Sequence, residues 1–196
     1  MADPLHLSLW YPNFETVEML ARAVAVMKQF PFSEQRGGIG YLAIHPVSWS
    51  EATVLERRFI PGVQPEEAAG IAADLLHDDY AYVFEAQWDL WLPDSVASPL
   101  HLRPSPVKFL VHGKDFDRAE AESGDIEIDF GLDSPFLLEN LRLAPADETL
   151  LQQNVSKLVA FTLALEKNSG ASSRLLWSES DENFAHKLIS RLQKLQ

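Results

Sequence analysis

Apolar residues recur with period two in some stretches of the chain and near 3.6 in others. Leu5, Leu7 and Leu9 alternate with His6, Ser8 and Trp10, which predicts a half-buried strand. Pro12 and Asn13 break it. Asn13 is placed to cap a helix with Glu15 in its first turn, and Val17, Leu20, Ala21, Val24 and Met27 follow at helical spacing until Pro31. After the turn at Gln35–Gly38, the apolar run Ile39–Ile44 predicts a strand covered on both faces. Thr53–Ile60 reads as another strand, closed by Pro61 and Gly62.

Pro65, Glu66 and Glu67 open a second helix, with Ala68, Ile71, Ala72 and Leu75 as its buried stripe. Tyr80, Tyr82, Phe84, Ala86, Trp88, Leu90 and Leu92 then define one face of a long strand. Residues 5–92 thus run β-α-β-β-α-β, the order of a ferredoxin-like unit. Segment 93–106 holds Pro93, Pro99, Pro104 and Pro106 and reads as a link.

Val107, Phe109 and Val111 predict a strand that pairs, across a long loop, with Ile126, Ile128, Phe130 and Leu132. In that hairpin Lys108, His112 and Lys114 would face acidic side chains across the ladder. A helix follows from a cap at Asp147, with Leu151, Val155, Leu158, Val159, Thr162 and Leu165 apolar. A short strand at Arg174–Ser178 and a final helix from Ser180 complete a ββαβα half. The fold class expected is α+β: a mixed, largely antiparallel sheet with helices packed on it. The chain is expected to be one domain over residues 1–196, with two fused halves at 1–94 and 106–196 as the alternative.

Composition narrows the function. The chain has 196 residues, 46% of them hydrophobic, with a formal net charge of -13 and no cysteine. The acidic balance disfavours binding to nucleic acid and to anionic membranes. The lack of cysteine removes thiol chemistry and Cys-ligated metal centres, and fits a reducing compartment. No basic leader precedes an apolar run at Met1–Pro4, and no stretch approaches the ~20 apolar residues of a membrane helix. The expectation is a soluble, cytoplasmic protein.

Local motifs are sparse. Gly38-Ile39-Gly40 imitates a dinucleotide fingerprint, but it leads into a strand rather than a helix. His77, Asp78 and Asp79 offer metal-type donors, although consecutive residues point in different directions. His112, Asp115 and Asp117 surround a loop where a carboxylate would tune an imidazole. Asp125, Glu127 and Asp129 place three carboxylates at period two. His45 and Tyr41 close the presumed central strand.

The charge distribution is more unusual. Between Phe59 and Leu102 there is no Lys or Arg, while acidic residues and two tryptophans accumulate. Trp91 beside Glu85 and Asp89 would join an aromatic anchor to negative charge, a combination suited to protein interfaces. The reading that follows is a non-catalytic binding protein with no cofactor, whose acidic surface engages a basic protein partner or forms a homodimer. The alternative is a small-molecule-binding protein or hydrolase-type enzyme using His112 with nearby carboxylates.

Overall fold

Leu5, Leu7 and Leu9 are fully buried and begin the core of an antiparallel sheet of seven strands. The computed structural model describes residues 3–94, 99–118, 123–137 and 145–178. The elements run β1 (Pro4–Trp10), α1 (Thr16–Met27), β2 (Ile39–Pro46), β3 (Leu55–Val63), α2 (Pro65–Ala73), β4 (Tyr80–Pro93), β5 (Leu100–His112), β6 (Ile126–Leu132), α3 (Ser134–Leu137), α4 (Pro145–Asn168) and β7 (Ser173–Ser178). The strand order is β3-β2-β4-β5-β6-β1-β7. The final helix expected from Ser180 lies outside the described residues.

The α+β class and the antiparallel sheet agree with the sequence pattern. The sheet is larger than that of a ferredoxin-like unit, and β5 and β6 stand between β4 and β1. Strands from the two expected halves therefore share one ladder. Segment 93–106 differs from its reading as a link: β5 starts at Leu100 and pairs with β4 in register from Pro93↔Leu100 to Ala81↔His112. Pro104 and Pro106 are tolerated because β6 pairs with β5 only from Lys108 to Val111, so these prolines leave no second ladder short of a donor. β3 likewise continues through Pro61 to Val63 on the sheet's margin.

The two faces are separated cleanly by register. Leu42, Phe84, Phe109, Ile128, Leu7 and Leu176 are successive partners across β2, β4, β5, β6, β1 and β7. This apolar row lies under the helices, within a core that includes Met19, Ala23 and Val26 of α1, Ala68 and Ala72 of α2, and Val155, Leu158 and Phe161 of α4. Trp88 is 0% exposed and packs against Phe30, Phe130 and Phe136 with ring centroids 5.4–5.8 Å apart.

Two helix details differ from the periodicity. α1 starts at Thr16 with Glu15 at its N-cap, not Asn13, and its buried residues are Met19, Leu20, Ala23, Val26 and Met27, while Val17 is 82% exposed. Nearly every residue from Met19 to Met27 is apolar, so the phase of the stripe is set by packing and not by pattern. α4 opens at Pro145, where the first turn accepts proline, and Asp147 lies inside that turn.

Candidate functional site

One residue along from the apolar row, a second row crosses the full sheet on its opposite face. Arg58, Tyr41, Glu85, Lys108, Asp129, His6 and Trp177 are successive register partners on β3, β2, β4, β5, β6, β1 and β7. Side chains alternate between faces along a strand, so all seven project away from the helix-covered side. Opposite charges neighbour one another at Glu85, Lys108 and Asp129, the arrangement that favours cross-strand pairing. Arg58 also lies over the Tyr41 ring, 5.5 Å from its centroid.

Three cavities form a groove along this face. The first, about 430 Å³, is lined by His6, Trp49, Leu110, His112, Glu127 and Asp129, among others. The second, about 480 Å³, shares Trp49, Leu110 and Asp129 with it and adds Tyr41, His45, Glu56 and Lys108. The third, about 680 Å³, shares Tyr41, Arg58 and Glu85 with the second and reaches Arg36, Gly38 and Ile60. Polarity changes along the groove. Among the described residues, the first cavity is lined by two carboxylates and no Lys or Arg, whereas the third carries Arg36 and Arg58 against the single carboxylate Glu85.

Trp49 is held over this groove by an anchored loop. Val47 adopts φ 60°, a left-handed conformation that a β-branched residue takes only under constraint. The constraint is visible: Val47 N–H donates to the Asp79 carbonyl at 2.7 Å, and Asp117 N–H donates to the Val47 carbonyl at 2.8 Å. The indole of Trp49 then meets the rings of His45, His112 and Phe116 edge-on, with centroids 5.0, 5.7 and 4.9 Å away.

His112 is 1% exposed. Its Nδ1 lies 3.0 Å from the Gly124 carbonyl. A carbonyl only accepts, so Nδ1 carries the proton and Nε2 is the acceptor nitrogen of the neutral ring. Burial pushes the imidazole below its ordinary value; the Gly124 hydrogen bond opposes this, Arg118 reinforces it, and Glu127 and Asp125 oppose it. Burial lowers His45 as well.

Glu127 is 6% exposed, and its Oε1 is 2.9 Å from His6 Nδ1. Burial alone would raise this carboxyl, but the His6 hydrogen bond and charge, with Ser123 and His112, bring it below the usual carboxylate range. The His6 ring stacks on Trp177 at 4.6 Å, and Trp177 Nε1–H donates to Ser8 Oγ at 3.0 Å. His6 is therefore fixed from both sides.

The residues singled out from sequence are distributed over several places. His112 lines the groove, whereas Asp115 and Asp117 are exposed; the carboxylates that act on the imidazole are Glu127 and Asp125. Of the carboxylates at period two, Glu127 and Asp129 line the groove, while Asp125 accepts from Tyr11 N–H at 2.9 Å and pairs with Arg118. Glu85, His45 and Tyr41 line it too.

Trp91 and Asp89 serve α4 and the Ser33 turn. Trp91 Nε1–H donates to Gln153 Oε1 at 2.9 Å. The Asp89 carboxylate accepts from Ser33 Oγ at 2.7 Å and Glu34 N–H at 2.9 Å. His77 packs at a tilt on the Tyr80 ring, and Asp78 is bonded to Thr16 and, at 2.7 Å, to Lys114 Nζ. The carbonyl of Asp79 holds Val47. No group of three His, Asp or Glu residues suited to a metal ion occurs among the described residues.

The acidic stretch from Phe59 to Leu102 is met by cations from elsewhere. Lys28 pairs with Glu66, Lys114 with Asp78, and Arg103 with Asp94. The sequence reading missed His6, Trp49, Arg58 and Trp177. The alternation Leu5-His6-Leu7-Ser8 already places His6 opposite the core, but Trp49 sits in an irregular segment with no period to assign it. No helix among the described residues is long and apolar enough to cross a membrane. Comparison with protein-family models, with curated proteins and with solved structures gave no match.

Proposed function

We propose that this chain is a binding protein whose recognition surface is the face of its sheet opposite α1, α2 and α4, and that its partner is a basic protein. The observation that carries this reading is the unbroken row from Arg58 to Trp177. It joins charges, a phenol, an imidazole and an indole across one face of the sheet. Such a face combines aromatic anchors with fixed charges, which suits recognition and steered encounter. Carboxylates exceed Lys and Arg among the described residues lining it: Glu56, Glu85, Glu127 and Asp129 stand against Arg36, Arg58 and Lys108. The net charge of -13 adds a long-range field of the same sign. A partner is favoured over edge-to-edge self-association on the β3 side, because Glu56, Arg57, Arg58 and Pro61 make that strand a poor template for pairing.

The test compares equal charge changes on two surfaces. Glu56→Gln, Glu85→Gln and Asp129→Asn together neutralise the groove. Glu67→Gln, Asp74→Asn and Glu148→Gln together neutralise exposed positions on α2, its C-cap and α4. Binding of a short peptide of mixed lysine and arginine is measured by calorimetry at two salt concentrations. The groove variant is expected to lose at least tenfold in affinity and the helix variant less than threefold. Equal losses in both would leave only non-specific attraction and overturn the reading.

A second reading, a small-molecule site, is favoured by the His6–Glu127 pair on the wall of an open cavity of about 430 Å³ beside His112. A ligand there would raise the thermal midpoint by linkage, and the shift would disappear in Glu127→Gln.

A further inference from the structure

We propose that the first cavity of the groove, between His6, Trp49, His112, Glu127 and Asp129, is a socket for one arginine side chain of the basic partner. This inference rests on the binding role argued above and names the contact that would give it specificity. The socket differs from the rest of the groove in having two carboxylates and, among the described residues that line it, no Lys or Arg, so on Glu127 an entering cation competes with the His6 imidazole rather than with a lysine or arginine. Lys108, the partner of Asp129 in register, lines the second cavity instead. The nearby guanidinium of Arg118 is engaged by the Ser123 and Gly124 carbonyls and by Asp125.

Each wall matches a part of the guest. Pro4, Leu110 and Leu132 offer apolar surface to an aliphatic stem. Trp49 offers an indole, the aromatic ring that best attracts a cation. Glu127 and Asp129, two positions apart on β6, present their carboxylates on the same face. Glu127 is already oriented through Oε1 by His6, and Asp129 through Oδ1 by the Gly131 N–H at 2.8 Å, so neither needs ordering when a donor arrives.

Arginine is favoured over lysine by these features. A guanidinium carries five donors in a rigid fork, stacks on aromatic faces and is more weakly hydrated than an ammonium. It can reach two fixed carboxylates while leaving little water behind. A lysine ammonium would enter as a point charge and retain more of its hydration.

The experiment titrates the full chain with N-acetyl-arginine methylamide, its lysine counterpart and its neutral citrulline counterpart. NMR follows the Trp49 indole N–H and the His6 and His112 ring resonances, with Trp49 assigned by Trp49→Phe. Saturable shifts at these three residues are expected with the arginine probe, at least fivefold tighter than with lysine and absent with citrulline. Asp129→Asn, the more exposed carboxylate, and Glu127→Gln are each expected to weaken the arginine response at least fivefold. The half-exposed Asp129 variant keeps the test usable if replacement of buried Glu127 impairs folding.

A citrulline response equal to that of arginine, a lysine response equal to that of arginine, or insensitivity to Asp129→Asn would each overturn the socket. A lysine-only peptide that binds as tightly as a mixed one, but still responds to Glu56 and Glu85 replacement, would overturn the socket and leave the wider recognition face standing. Failure of every basic peptide would overturn both.

Discussion

Asn154 of α4 treats Trp91 of β4 as a neighbouring strand would. Trp91 N–H donates to Asn154 Oδ1 and Asn154 Nδ2 donates to the Trp91 carbonyl, each at 2.9 Å. Nδ2 also reaches the Pro135 carbonyl at 2.9 Å. The side chain is needed because β2 stops pairing with β4 at Ala86, leaving the rest of that edge without a strand. Ser33 N–H covers Gln87, Lys157 covers Asp89 and Asn154 covers Trp91.

Replacing Asn154 with Ala is therefore expected to destabilise the fold by about 2–4 kcal/mol, because it removes three hydrogen bonds and strands buried backbone groups. Asn154→Asp keeps the acceptor but loses both donated bonds and buries a charge, so it is expected to cost at least as much. Urea denaturation of both variants checks this. A loss under ~0.5 kcal/mol for Asn154→Ala would show that the edge is satisfied in another way.

Two glycines give opposite expectations. A Cβ on Gly124 would sit 2.5 Å from the Leu9 carbonyl oxygen and 2.7 Å from its nitrogen, both rigid backbone of β1. Gly124→Ala must push β1 away and disturb the carbonyl that holds His112, with an expected cost above ~2 kcal/mol. A Cβ on Gly70, inside α2, meets nothing within 4 Å. Gly70→Ala is expected to stabilise by about 0.5–1 kcal/mol through helix propensity alone. Denaturant midpoints of the pair decide the matter, and equal signs would contradict the packing described.

The buried imidazole sets a pH dependence. His112 titrates below its ordinary value of 6.5 in the folded chain. Between 6.5 and that lower value the unfolded chain binds the extra proton, so stability is full above 6.5 and falls as the pH drops. The slope is at most ~1.4 kcal/mol per pH unit for this histidine, and the loss levels off below its folded value. Half-exposed His45 acts in the same direction with a smaller share, since water reaches it. Glu127, held below its usual value, contributes stability that is present above about 4.5 and is lost as pH falls further. Urea midpoints from about pH 7.5 to 5.5 should decline in the wild type and decline less steeply in His112→Gln. Parallel slopes would mean that His112 is not the group being titrated.

How much of this could be read from the chain follows from the kind of order involved. The strands announce themselves because one side of each is buried; Leu5-Leu7-Leu9 and Tyr82-Phe84-Ala86-Trp88 are legible without coordinates. The phase of α1 is not, because Met19–Met27 is apolar almost throughout. The β4–β5 pairing was hidden behind Pro99, Pro104 and Pro106, which normally signal a break. The groove was hidden more deeply. Its row draws one residue from each of seven strands, so no two of its members are close in sequence within one motif, and only the register Tyr41↔Glu85↔Lys108↔Asp129↔His6 assembles it.

The left-handed Val47 is the point at which the loop over the groove stores strain. Its side chain is 50% exposed, so little burial is lost on truncation. Val47→Gly removes a steric penalty of roughly 1–2 kcal/mol, offset in part by the extra freedom of glycine in the unfolded chain. The net expectation is a change between neutral and about 1 kcal/mol stabilising, the reverse of what valine-to-glycine does in a strand. A destabilisation beyond ~1 kcal/mol would show that the side chain contributes packing.

Trp49 is the side chain through which that loop acts on the groove. Its ring, with that of Phe116, shields the His112 imidazole, which burial holds below its ordinary value. Trp49→Ala admits water to one side of the imidazole while leaving the Gly124 hydrogen bond in place. The His112 midpoint is expected to rise toward about 6.5, because the charged form regains hydration. Trp49→Phe keeps an aromatic shield and is expected to move the midpoint less. Ring resonances followed by NMR across the acid range read this directly, independently of overall stability. An unchanged midpoint in Trp49→Ala would show that Phe116 and the strands alone account for the desolvation, and the loop would then have no hold on the ionisation of the groove.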